Sequence, residues 1–150
     1  SVGKYDFTKT ALTELGAEVF FDKVALKPGK PVVFAKLAGK HIFGLPGNPV
    51  SAAVTFHLFV RRLILQLQNA ADVDPRRGFA VAGERAKGTK ERDVYLPARL
   101  DTDGSGRLIA SPLKWHGSSD FIGFARAECL IIVPKGSSIA EGDAAEIIYL

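Results

Sequence analysis

Methionine is absent from the 150 residues, and cysteine and tryptophan occur once each. Ser1 opens the sequence inside what reads as a motif, so the natural start of the protein is expected upstream of it. A single cysteine, Cys129, excludes an intrachain disulfide and suits a reducing compartment, so a cytoplasmic location is expected. Its setting, Cys129-Leu130-Ile131-Ile132-Val133, is an apolar strand-like run, in which a cysteine behaves as a small buried hydrophobe rather than a nucleophile. His41, His57 and His116 are far apart and, with one cysteine, show no zinc-ligand spacing. No apolar run is expected to reach the roughly 18 residues of a bilayer span, because Ser51, Thr55, His57 and Arg61-Arg62 break the best candidate. Internal repeats, low-complexity segments and a signal-peptide pattern are also absent from the 150 residues.

What is present is the composition of a folded chain, 47% hydrophobic and 24% charged. The net charge of +4 is unevenly placed. Residues 1–70 carry nine Lys or Arg against four Asp or Glu, whereas residues 71–150 carry eleven against twelve. The basic half therefore points to an anionic partner. Nucleic acid ranks last among such partners, since interleaved aromatics are missing from the basic stretches and none is expected to bind.

Along the chain, Asp6 followed by Phe7, Ala11, Leu12 and Leu15, with Gly16 behind, predicts a short amphipathic helix capped by Asp6. Glu18 to Leu26 reads as extended, with Lys23 and Lys27 projecting from one face. Lys27-Pro28-Gly29-Lys30-Pro31 must be a loop, since two prolines and a glycine defeat helix and strand alike. Val32–Leu37 and Lys40–Leu45 around Ala38-Gly39 predict a β-hairpin. Val50 to Leu67 is apolar enough to predict a long, substantially buried helix. Near residue 73 polar residues and proline take over, and a boundary is placed there, giving units 1–73 and 74–150. Beyond it lie strand candidates at Phe79–Ala82, Asp93–Leu100, Arg107–Ser111, Cys129–Val133 and Glu146–Leu150. Asp103-Gly104-Ser105-Gly106 serves as a hairpin turn, and a short helix is expected over Phe121–Ala127. The fold class is α/β followed by a small all-β barrel or sandwich.

The chain pivots on Gly44-Leu45-Pro46-Gly47-Asn48-Pro49-Val50-Ser51, where extended sequence gives way to the long helix. Asn48 is a preferred N-cap residue and Pro49 suits the first helical position. Such a helix start directs free backbone N–H groups outward, and with the helix dipole they favour an anion. Pro and Gly clusters equally mark a plain strand-to-helix turn. The lysines of residues 23–30 are compact positive charges that could face the same edge of the sheet. Asp6 could serve as a helix cap or hold a hard cation such as Mg²⁺ together with substrate phosphates.

Three ordered segments carry a more specific signal: Ser1-Val2-Gly3-Lys4-Tyr5-Asp6, Lys27-Pro28-Gly29-Lys30-Pro31, and Gly44 to Ser51. Together they resemble the successive signatures of the molybdopterin molybdenumtransferase family, which includes MoeA and the E domain of gephyrin. The resemblance implies that residues 1–73 are the C-terminal half of a three-layer molybdopterin-binding α/β domain and residues 74–150 the family's C-terminal β-domain. It further implies insertion of molybdate into adenylylated molybdopterin with release of AMP, assisted by Mg²⁺. By the same resemblance Asp6, Lys23 and Lys27 are catalytic and Asp6 also binds metal. Lys30, Pro46, Gly47, Asn48, Pro49 and Ser51 would bind substrate. Implied partners are a second copy in a homodimer and a molybdopterin adenylyltransferase. Glycines and an acidic segment that precede the first motif in the family are missing, so the 150 residues alone are expected to be inactive. A gephyrin-like scaffold that binds a partner through the same fold is the alternative reading.

Overall fold

The structure, a computed structural model, describes residues 7–114 and 120–150. Helix α1 (Thr8–Glu14) comes first, and its Leu12 packs on Val33 and Ala35 with Ala17, Val19 and Ile42 around them. It ends at Gly16, whose φ of +78° suits the left-handed cap position. The Gly16 N–H donates to the Thr13 carbonyl at 3.0 Å and that of Ala17 to Leu12 at 2.9 Å. The cap position at its start belongs to Phe7, with no side-chain cap bond, and not to Asp6 as expected. Asp6 itself lies outside the described residues.

Strands β1 (Glu18–Phe21), β3 (Val33–Leu37) and β4 (Lys40–Gly44) form an antiparallel sheet in the order β1-β3-β4. The hairpin is as expected. Ala38 and Gly39, at φ +49° and +78°, make the two-residue turn with positive φ that matches strand twist. The extended stretch expected through Leu26, by contrast, stops at Phe21 after a bulge between Val19 and Phe21. The two-residue strand β2 (Leu26–Lys27) leaves this sheet altogether. Lys23 lies in the intervening bend, so Lys23 and Lys27 do not share one strand face.

The long helix runs Pro49–Leu67 in three parts: α2 (Pro49–Thr55), a π-helical turn (Phe56–Val60) and α3 (Arg61–Leu67). Two sequence expectations change here. At 19 residues the helix is long and apolar enough to cross a membrane by length and composition, Arg61 and Arg62 notwithstanding. It is also far less buried than its apolar sequence predicts: Val50 and Val54 are fully buried, but α3 has no buried residue and Leu67 is 65% exposed. Burial is decided by what stands opposite, and only the first two turns meet a packed surface.

That surface is a closed barrel. Its strands are β5 (Arg77–Ala82), β7 (Asp93–Thr102), β8 (Leu108–Pro112), β9 (Cys129–Val133) and β11 (Ala144–Tyr149). They neighbour one another in the order β7-β8-β5-β11-β9, and β9 pairs back onto β7. Short strands β6 (Ala86–Lys87) and β10 (Ser138–Ile139) pair beside it. Asp103 closes the β7–β8 turn as expected, with the Asp103 N–H donating to Arg107 and that of Gly106 to Asp103. Ala82, Ala98, Ala110 and Ala145 fill the interior with Val94, Ile131 and Ile147, small side chains that suit a narrow barrel.

The apolar run at β9 is explained by burial on both faces. Cys129, Ile131 and Val133 point into the barrel. Leu130 and Ile132 join Val50, Val54, Ile148 and Phe124 of α4 (Phe121–Phe124) in a second core between barrel and helix. Burial pushes the Cys129 thiol up to about 12, so it is the packing residue its sequence suggests. Finally, β2 adds to the barrel sheet in parallel, Leu26 opposite Asp93 and Lys27 opposite Val94. The two halves of the chain thus share one sheet and one core.

Candidate functional site: a lysine loop against a helix start

The segment from Leu26 to Pro31 is held at both ends. The Asp93 N–H donates to the Ala25 carbonyl at 3.1 Å, tying the loop to the barrel, and the Val24 N–H donates to Lys30 at 3.0 Å, closing it on itself. Pro28, preceded by a cis peptide bond, and Gly29 are buried, whereas the flanking Lys27 and Lys30 are exposed. Gly29 is required. Its φ is +115°, and a Cβ there would lie 2.5 Å from Thr55 Cγ2 and 3.5 Å from the Ser51 carbonyl oxygen. Loop backbone therefore rests directly on the first two turns of the long helix.

On the helix side, Thr55 is fully buried and its hydroxyl donates to the Ser51 and Ala52 carbonyls at 2.8 and 3.1 Å. Ser51 is 7% exposed and faces Gly29. Asn48 takes the N-cap position in extended conformation, φ −78° and ψ 124°, without a side-chain cap bond, and Pro49 follows at the first helical position. Pro46 is buried; Gly47 and Pro49 are exposed. The strand entering this turn ends at Gly44, where a Cβ would approach Thr8 Cγ2 at 3.0 Å. Two glycines thus permit two close contacts: Gly29 seats the lysine loop on the long helix, and Gly44 admits Thr8 of α1 beside the end of β4.

Lys27 and Lys30 are exposed on a loop whose Gly29 packs on Ser51 and Thr55 of α2, and neither forms an ion pair among the described residues. Lys23, one bend earlier, stands beside Asp22, whose carboxyl is held low mainly by its 2.7 Å bond from Lys9. Ser51 serves the loop–helix contact with its backbone. Asp6 falls outside the described residues, so the expected metal position does too. Among the described residues no group of three His, Cys, Asp or Glu is assembled. Lysines beside the backbone N–H groups of a helix start are chemistry that suits an anion. What sequence reasoning missed is Gly29 and Thr55 as the joint of the site; the glycine between two prolines was its signal.

Comparison with known proteins matches the same two halves. Residues 1–66 match the family described as a probable molybdopterin binding domain, and residues 80–150 match the MoeA C-terminal region, domain IV. The chain belongs to the MoeA family. It is 37% identical over 136 residues to the molybdopterin molybdenumtransferase of Haemophilus influenzae, which covers 90% of this chain and 33% of that protein. Over 59 residues it is 54% identical to the molybdenum cofactor synthesis protein cinnamon of Drosophila melanogaster, 39% of this chain and 10% of that one. Among solved structures, the molybdopterin biosynthesis MoeA protein of Pyrococcus horikosii superposes with a TM-score of 0.80 at 29% identity, over 96% of this chain and 34% of that one. The chain spans about a third of the length of the curated relatives it matches.

Proposed function

We propose that this chain contributes the anion-holding part of a molybdopterin molybdenumtransferase, one that inserts molybdate into adenylylated molybdopterin and releases AMP. The observation that supports the reading is the seating of Gly29 on Ser51 and Thr55, which holds the loop bearing Lys27 and Lys30 against the first two turns of the long helix. The relatives' shared name, molybdopterin molybdenumtransferase, supplies the substrate class.

Both substrates are anions, and the described residues offer what anions need. Lys27 and Lys30 provide positive charge, and the helix start at Asn48-Pro49 provides oriented N–H dipoles. Positioning and charge stabilisation of this kind require no nucleophile from the protein. Pro46, buried in the turn, and Pro49 stiffen the loop so that its N–H groups are set before ligand arrives. Lys23 and Ser51 complete the set, Lys23 as outer charge and Ser51 as support. A divalent cation, Mg²⁺ in this reading, would neutralise phosphate charge when bound; Asp6 is the residue assigned to it. The catalytic unit is a homodimer of the whole protein, and the 150 residues alone are inactive.

The test uses the whole protein that carries this sequence. Lys27→Ala and Lys30→Ala are expected to lower molybdenum cofactor formation at least tenfold each, with unchanged thermal stability. Full activity in both variants would remove the lysine loop from the site.

A further inference from the structure

A second cationic cavity lies away from the loop. It encloses about 230 Å³ and is lined by His57 and Arg61 of the long helix, Pro75 and Arg76 of the connection into β5, Ile148 and Tyr149 of β11, and Leu150. From Asn48 to His57 is nine residues, about 13 Å along the helix axis, so this is not the helix start described above. His57 and Arg61 stand four apart, on one side of the helix, and His57 sits within the π turn, a local irregularity that recurs at functional sites.

No acidic side chain lines the cavity. Three nearby carboxylates are engaged elsewhere: Asp74 with Arg62 at 3.1 Å, Glu146 with Arg77 at 2.7 Å, and Glu128 with the Leu100 N–H at 2.9 Å. Among the described residues Arg61 and Arg76 have no carboxylate partner. Arg76 is nonetheless held in place, its guanidinium 4.9 Å from the Tyr149 ring centroid and its carbonyl accepting the Tyr149 N–H at 3.0 Å. The aromatic face orients the guanidinium without neutralising it. His57 is half-buried, and burial together with the charge of Arg61 lowers its proton affinity, as in a field that is already positive.

We propose that this cavity binds a phosphate-type tetrahedral oxyanion, free or as the terminal group of a small monoester, clamped between Arg61 and Arg76. Guanidinium forks match oxyanion geometry, and two of them at the wall of one cavity, neither held in an ion pair among the described residues, leave charge that such a ligand satisfies. Its volume lies below the roughly 300–1,000 Å³ of sites that take drug-sized ligands, which excludes a whole nucleotide or pterin. His57 adds a ring N–H donor at the wall.

The full chain is titrated with inorganic phosphate, glycerol phosphate and chloride at constant ionic strength, following the His57 ring resonances by NMR and the heat by calorimetry. Saturable binding is expected for the phosphates and not for chloride, weakened at least tenfold in Arg61→Ala and in Arg76→Ala and unchanged in Arg99→Ala, all three keeping the parent's circular dichroism. Tighter saturation by glycerol phosphate assigns the site to a monoester, and tighter saturation by inorganic phosphate assigns it to the free ion; either supports the proposal. Shifts that stay linear, that chloride reproduces, or that persist unchanged in both arginine variants overturn it.

Discussion

Gly29 joins the two signatures that define the site, and it does so by lacking a side chain. At φ +115°, with Thr55 Cγ2 2.5 Å from where a Cβ would stand, Gly29→Ala combines backbone strain with overpacking. A loss of about 2 to 4 kcal/mol is expected, measured by chemical denaturation; a loss below about 0.5 kcal/mol would show that the loop does not rest on the helix as described. Asp103 offers a second test at this scale. Its carboxylate accepts the Ser105 hydroxyl at 2.7 Å, the Arg107 N–H at 2.9 Å and the Arg107 Nε–H at 2.8 Å. These bonds, that of the Ser105 hydroxyl first, hold its pKa well below the ordinary 3.8. A depressed folded value means that the unfolded chain binds the proton more readily. The contribution is therefore complete above 3.8 and is lost as pH falls through the folded value. Denaturation at pH 7 and pH 2.5 should show the cost of Asp103→Ala shrinking at the lower pH; an equal cost at both would separate the turn's stability from this charge.

At the scale of elements, β9 is the common wall of two cores. Its odd positions, Cys129, Ile131 and Val133, fill the barrel, and Leu130 and Ile132 hold the long helix. Leu130→Ala should cost about 2 to 5 kcal/mol. Hydrogen exchange should show amides of Val50–Thr55 and Cys129–Val133 opening together, because Leu130 and Ile132 pack with Val50 and Val54 in one core. Exchange of the helix alone, with the barrel unchanged, would mean that the shared core is not the cooperative unit. Beyond Val60 the helix is a different object: α3 has no buried residue, and an exposed ion pair, Arg62 with Asp74, joins it to the connection into β5.

For the molecule as a whole, the feature that most departs from an ordinary soluble domain is the uncovered apolar surface beside α3. Phe34 stacks on Phe43 at 4.7 Å and on Phe20 at 5.2 Å, and Phe21 reaches Phe59 of the helix at 6.3 Å. A cavity of about 780 Å³ lies between this aromatic sheet face and the helix, and another of about 700 Å³ flanks Phe43 and Leu63. Patches of this kind mark surfaces that meet something else. The folded chain is expected to raise the fluorescence of an apolar dye such as ANS in the absence of denaturant, and Phe59→Ser with Leu63→Ser to reduce it without loss of the barrel's circular dichroism. No enhancement in the parent chain would show the surface to be closed.

Local rules were enough for much of this. Ala38-Gly39 demanded a two-residue hairpin, Gly16 a helix stop, Asn48-Pro49 a helix start, and Asp103 to Gly106 a turn, because each depends on backbone conformations that those residues favour within a few positions of themselves. The three motifs at Asp6, Lys27 and Gly44 were likewise readable as family signatures. Tertiary structure alone decided the rest. Whether the β strands form a sandwich or a barrel depended on β9 returning to β7, a pairing across more than 30 residues that no local pattern encodes. The parallel seat of Leu26-Lys27 on β7 ended the strand expected through Lys23, since two residues gained more from the barrel edge than from continuing their own sheet. Apolar periodicity said that Val50 to Leu67 would be helical; only the seating of its first turns on the barrel, and of its last turn on no packed surface among the described residues, determined which of those side chains are buried.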